Sequence, residues 1–270
     1  MKLYAAHLDL SSIANEFKIP LAFDNSVTDA AAQAHDRFSA VRKDMRDIPL
    51  VTIDPKGSMD LDQAVFIDKP ASGAGYIVYY AIADVAAFVE PGGVIERESL
   101  SRGQTIYLPA EPARLHPPEL SEGEASLLPG VDRPAVMWTF HLDAAGEVEN
   151  FHAERALVRS RARLDYEQTH QDLMKGQLHS SIALLPEVGK LRQASSLRRH
   201  AISLRLPSQS VELNDDGQYE LIIEPRHEIM DYNSEISLLT GMCAGELMAD
   251  HGIGFLRTLP AATPEAEGEF

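Results

Sequence analysis

The sequence predicts an α+β domain, a mixed β-sheet with packed helices, and three observations carry that prediction. Residues 1–48 hold helical patterns only. From Ile48 onward, runs rich in Val, Ile, Tyr and Phe take over, punctuated by Gly, Pro and Asp. Past residue 165 the apolar period lengthens to that of helices, interrupted by one more hairpin.

Taken in order, SSIANEFKI and a Thr28-capped VTDAAAQAHDRFSAVRKDM form a helical N-terminal extension over 1–48, and 49–270 form the main domain. IPLVTI and AVFID read as strands, and the turn-rich KPASGAG leads into the long apolar run YIVYYAIADVAAFV. Pro91, Gly92 and Gly93 break the chain before a short helix, VIERESLSRG. TIYLP resumes as a strand. Residues 109–134 are Pro-rich and irregular, a length that points to a functional loop rather than a plain connection. PAVMWTFHLDAAGEVENFHAERALV reads as a hairpin turning at Ala144–Gly146, followed by helices over 165–175 and 180–199. VELNDDGQYELIIEP is a second hairpin, with Asp216–Gly217 at its turn. A helix over about Tyr232–Asp250 places Ile236, Leu239, Cys243 and Leu247 at helical spacing. The ending RTLPAATPEAEGEF reads as a loose tail or as a chain that stops mid-domain.

The 270 residues, 44% of them apolar, suffice for one large domain or two small ones. One cysteine, Cys243, allows no internal disulfide, which favours a reducing compartment. The start KLYAAHLDLSSIANEF carries Asp9 and Glu16 and does not read as a secretory signal. No apolar run approaches the roughly 18 residues of a membrane span, so the expectation is a soluble cytoplasmic protein without membrane contact. A formal charge of −17 speaks against general affinity for nucleic acid. Yet from Arg155 to Arg205 ten Lys or Arg face four acids. That segment either holds a polyanion or presents solvated helix faces.

The informative stretch is VTIDPKGSMDLDQAVFID, residues 51–68, where Asp54, Asp60 and Asp62 interrupt a strand-like pattern. Asp60 and Asp62 share a face if the segment is extended, and Gly57 lets the loop fold back toward Asp54. The three are either solvated turn residues or ligands sharing a hard cation such as Mg²⁺. Paired ions of that kind, about 3.5–4 Å apart, serve in-line phosphodiester cleavage. The EF-hand spacing fails at Ala64, Val65 and Ala71. CxxC, HExxH, the Walker loop and GxSxG are all absent from the sequence.

IDPKGSMDLDQA resembles the signature of the RNB catalytic domain of the ribonuclease II and ribonuclease R family of exoribonucleases. YAIADVAAFVEPGGVIERESLSRGQTIYLP, PPELSEGEASLLPGVDRPAV, RSRARLDYEQ and NSEISLLTGMCAGEL are similar to further family blocks. They occur in family order from about 49 to 259.

The resemblance implies 3′→5′ hydrolysis of single-stranded RNA to nucleoside 5′-monophosphates with Mg²⁺ as cofactor. It implies that Asp54 and Asp62 ligate metal and that Asp60 completes the shell. Gln63 stands where the family has a fourth aspartate, which brings an oxygen without charge. Tyr107 and Tyr166 match aromatics that lie against RNA bases. Glu235 matches an acid near the 3′ end, and Arg159, Arg161 and Arg163 fit a track for phosphates. A later arginine block of the family does not occur before Phe270. The resemblance therefore covers the first half to two-thirds of an RNB domain and implies weak or no activity for this chain alone. The rival reading is an RNA-binding or partner-binding module without turnover.

Overall fold

A computed structural model gives the architecture. It describes residues 10–256 apart from 11, 72, 109–110, 199–207 and 215, together with 263 and 268. A seven-stranded sheet organises the chain, in the order β1-β6-β5-β4-β3-β2-β7. Its strands are β1 Lys43–Asp44, β2 Val51–Asp54, β3 Gln63–Asp68, β4 Tyr76–Ala83, β5 Asp132–Leu142, β6 Val148–Arg159 and β7 Ala162–Asp165. The inner pairings are antiparallel, whereas β1 on β6 and β7 on β2 are parallel. The sheet is therefore mixed, as the sequence predicts.

The period-2 alternation of the strands sorts side chains onto two faces. On β4, Tyr76, Val78 and Tyr80 join Val65, Ile67 and Phe140 under the helices α5 (Leu185–Arg198) and α6 (Glu228–His251). Ala64, Ala81, Met137 and Val158 turn the other way and are covered by Leu50, Leu61 and Leu127. A side chain such as Phe140, fully buried, contributes roughly 1.5–3 kcal/mol. A third core joins α2 (Asn25–Ala32) to α3 (Val94–Arg102) through Val27, Ala31, Phe88 and Ile95. The β5–β6 hairpin turns where expected. Asp143 Oδ1 accepts from the amides of Ala145 and Glu147, and Gly146 takes φ 78°. A Cβ at Gly146 would also stand 2.6 Å from Leu191 Cβ, so glycine is required twice over.

Several elements depart from the expected pattern. The second helix starts at Asn25 behind Asp24, not at Thr28, and ends at Ala32 instead of running to Met45. Lys43 and Asp44 pair with Ala156 and Leu157 of β6, whose open edge offers backbone partners that no local pattern announces. Arg42, its side chain 2% exposed, bonds Asp36 and the buried Asp84 and so fastens this segment to the sheet. Among the described residues TIYLP forms a single bridge, Ile106 with Ala113, instead of a strand. Within the Pro-rich stretch, Glu119–Glu124 forms one widened helical turn. The helix α1 covers Ser12–Glu16, α4 covers Tyr166–Lys175, and the hairpin β8–β9 (Ser208–Leu213, Tyr219–Glu224) forms as expected. The expected tail over 257–270 lies outside the described residues apart from 263 and 268.

Candidate active site

Asp54 is the last residue of β2 and stands in register with Asp165 of the parallel strand β7. Asp165 caps α4, accepting from the Gln168 amide at 2.8 Å. The chain then turns back: the Ser58 amide donates to Pro55 O at 3.1 Å, and Gly57 adopts φ 89°. The loop carrying Asp60 and Asp62 is fastened by a buried serine. Ser126 Oγ donates to Met59 O at 2.6 Å and accepts from the Leu61 amide at 3.0 Å, one bond on each flank of Asp60. The Leu127 amide donates to Leu61 O, and the Ala83 amide to Asp62 O at 2.8 Å.

This geometry makes the three aspartates costly neighbours. Burial pushes Asp54 up to about 6, helped by the charges of Asp62 and Asp60. Burial, then Asp60, also raises Asp62. Asp54 Oδ2 is buried without a hydrogen-bond partner among the described residues. Among those residues, three or more His, Cys, Asp or Glu do not close into a ready-made metal cage. Mg²⁺ rarely uses such a cage; it is held by one or two carboxylates, with waters and substrate phosphates completing the shell. An orphaned carboxylate oxygen beside two repelling carboxylates fits that donor set.

Gln63 opens β3 with its amide oxygen already engaged. Oε1 accepts from Tyr80 Oη and, at 3.4 Å, from Ser237 Oγ of α6. One turn earlier on α6, Asn233 Nδ2 donates to Tyr166 Oη at 3.2 Å. Burial raises Tyr80 to about 12 and raises Tyr166, in both cases with a contribution from the Asp54 charge, so the two phenols stay protonated beside the aspartates. Tyr80, Ser126, Asn233 and Ser237 are not among the candidates drawn from the sequence. All four lie inside family-like blocks, Tyr80 as the first residue of its block, which was the one available signal.

A cleft of about 520 Å³ opens beside Asp60 and Asp62, lined also by Ser58, Tyr107, Arg114 and His116. Tyr107 is 79% exposed there, and its ring is free to stack. Arg163 donates to Ser58 O at 3.0 Å, at the edge of the aspartate loop. Arg159 is instead held by Asp132 at 2.6 Å, which Arg46 also pairs, and Arg161 donates to Arg46 O. Glu235 is buried on α6, two positions from both Asn233 and Ser237 and so roughly 160–200° around the helix from them. The structure thus groups Asp54, Asp60, Asp62, Gln63 and Tyr166, brings Tyr107 and Arg163 to the cleft and its loop, gives Arg159 and Arg161 other partners, and buries Glu235 on another side of α6 from Asn233 and Ser237.

The sheet and this site together define the class: residues 42–270 match the RNB domain, and the chain belongs to the RNB-domain family. Ribonuclease R of Chlamydia trachomatis is 29% identical over 271 residues, covering 98% of this chain and 38% of that protein. Ribonuclease R of Escherichia coli (strain K12) is 35% identical over 147 residues, covering 54% of this chain and 18% of that protein. The fold matches that of Mycoplasma genitalium RNase R in complex with ribose methylated single-stranded RNA. The TM-score is 0.85 at 21% identity, over 93% of this chain and 41% of that one. The chain therefore spans less than half the length of these relatives.

Proposed function

We propose that this chain carries the hydrolytic site of a cytoplasmic 3′→5′ exoribonuclease that acts on single-stranded RNA with Mg²⁺ and releases nucleoside 5′-monophosphates. The observation that carries the proposal is Asp54, whose buried Oδ2 lacks a hydrogen-bond partner among the described residues and whose carboxyl is pushed up to about 6 beside Asp62 and Asp60. Such an arrangement destabilises the metal-free protein and is relieved by a divalent cation. Asp54 and Asp62 would hold the ion, and Asp60 would complete the set. When bound, Mg²⁺ neutralises the scissile phosphate and acidifies a water at neutral pH. Tyr166 lies against the 3′-terminal nucleotides, Tyr107 stacks a base further along the strand, and Arg163 meets a phosphate.

A second reading, RNA retention without turnover, is favoured by Gln63. Its oxygen is taken by two hydroxyls, and it brings no charge to the position where a fourth carboxylate would stand. Incubation of 5′-labelled single-stranded RNA with Mg²⁺, beside Asp62→Asn and EDTA controls, separates the two. A weak ladder shortening from the 3′ end, absent in both controls, is expected. Bound but intact RNA would favour retention.

A further inference from the structure

Arg102, the last residue of α3, joins three parts of the chain that are distant in sequence. Its side chain is only 4% exposed, and its guanidinium is almost wholly committed to protein acceptors. Nε donates to Glu98 at 2.7 Å, one turn back on α3. Nη1 donates to Pro20 O at 2.7 Å and to Arg114 O at 3.2 Å, and Nη2 donates to Ala22 O at 2.5 Å. The Phe23 ring centroid lies 3.8 Å from Cζ, within reach of a cation–π contact.

The partners of Arg102 lie on opposite sides of it. Residues 19–24 connect α1 to α2 without regular structure, and Arg102 supplies donors to two of their carbonyls. Phe23 packs on the same small core that buries Leu120 of the widened turn. Arg114 belongs to a narrow ribbon in which Ile106 and Ala113 exchange both backbone bonds and Thr105 Oγ1 accepts from the Leu115 amide. Thr105, Tyr107, Arg114 and Leu115 of that ribbon line the cleft beside Asp60 and Asp62, and Glu122 braces the Arg114 side chain at 2.7 Å. The facing wall, the aspartate loop, is fastened independently by Ser126. A planar fork can reach carbonyls on several sides at once, whereas the point charge of a lysine cannot.

We propose that Pro20–Phe23 is a strap behind the RNA cleft, and that Arg102 is a positioning residue through which the strap holds the Tyr107–Arg114 wall in place. The N-terminal extension then contributes to RNA affinity without touching RNA and without touching the aspartates. The inference rests on the ribonuclease reading and deepens it by naming what sets one wall of its cleft.

The test separates the wall from the metal ligands. Arg102→Lys keeps the charge but breaks the fork, and Phe23→Leu keeps apolar volume but removes the ring. Each full-length variant is titrated with fluorescent single-stranded RNA by anisotropy in EDTA, and with Mn²⁺ by electron paramagnetic resonance. Arg102→Lys is expected to weaken RNA binding about 5- to 10-fold and Phe23→Leu about 2- to 3-fold, with Mn²⁺ affinity unchanged in both. Adding Tyr107→Ala to Arg102→Lys should cost little more than Tyr107→Ala alone, because both act through one wall. Hydrogen exchange at the Ile106, Ala113 and Leu115 amides should quicken in Arg102→Lys. Unchanged RNA affinity or unchanged ribbon exchange in folded Arg102→Lys overturns the strap and leaves the ribonuclease reading intact. A parallel loss of RNA and Mn²⁺ affinity, or full additivity with Tyr107→Ala, overturns it too. Failure of the wild-type chain to bind RNA overturns both.

Discussion

Tyr80 Oη and Ser237 Oγ lie 2.8 Å apart although 157 positions separate them, and both hydroxyls reach Gln63 Oε1. The start of β3 is thereby tied to the middle of α6, next to the aspartates. A glutamate at position 63 has the same reach, would accept the same two bonds and would add a charge. Gln63→Glu is expected to lower the Mg²⁺ concentration giving half-maximal RNA hydrolysis by about tenfold. A metal titration at fixed RNA measures it, and an unchanged midpoint would show that position 63 does not reach the ion.

Ser126 presents the opposite case, a group that touches no substrate and yet sets the loop. Removing its hydroxyl leaves Met59 O and the amide of the fully buried Leu61 without their partner. Ser126→Ala is expected to cost about 1–3 kcal/mol in urea unfolding. Binding of Mn²⁺, followed by electron paramagnetic resonance, should weaken alongside it. Ser126→Thr, which keeps the hydroxyl, should recover part of both.

Asp54 makes a pH prediction with a definite sign. Its native pKa of about 6 stands above the ordinary 3.8, so the native state binds its proton more readily than the unfolded state does. Stability of the metal-free protein must then fall as pH rises from about 4 to 6, and level off above. Urea midpoints in EDTA should decline over that window, and Asp54→Asn should flatten the decline. A wild-type midpoint that instead rose relative to the variant would contradict the crowding of these carboxylates.

Arg42 is a stability prediction with a functional tail. Its guanidinium bonds Asp36, Asp84 and the carbonyls of Ala135 and Ala156. Arg42→Met leaves Asp84 buried with Arg155 as its remaining cation, and about 3–5 kcal/mol should be lost. Because Asp84 follows Ala83, which bonds Asp62 O, the same variant should also need more Mg²⁺. A variant that unfolds earlier but keeps its metal midpoint would confine Arg42 to the fold.

The three arginines of the expected phosphate track should separate. Arg163 lies at the aspartate loop, whereas Arg159 is neutralised by Asp132. Arg163→Gln is expected to weaken RNA binding and reduce the salt slope by about one ion, while Arg159→Gln leaves the slope unchanged. Affinities measured across a salt series decide between them.

What the sequence made legible was whatever has a local pattern. The β5–β6 hairpin and its turn, the strands around Asp54, and the apolar stripe of α6 all declare themselves within a few residues. The aspartates stood out because carboxylates are out of place between Val51 and Phe66. Lys43–Asp44 did not, since a charged, Ala-rich stretch reads as helix until the distant edge of β6 claims its backbone. Ser126 and Ser237 were hidden for a related reason. Nothing near them in the chain marks a serine as a clasp, and their partners sit 67 and 174 positions away.

The parallel pairing of β2 with β7 has a consequence for synthesis. All three aspartates have been synthesised by residue 62, but the strand beside Asp54 ends at Asp165, and the hydroxyl that meets Gln63 arrives with Ser237. A nascent chain therefore carries the three carboxylates long before it carries the frame that aims them, and the cluster around Asp54 cannot close until most of the described chain has been made.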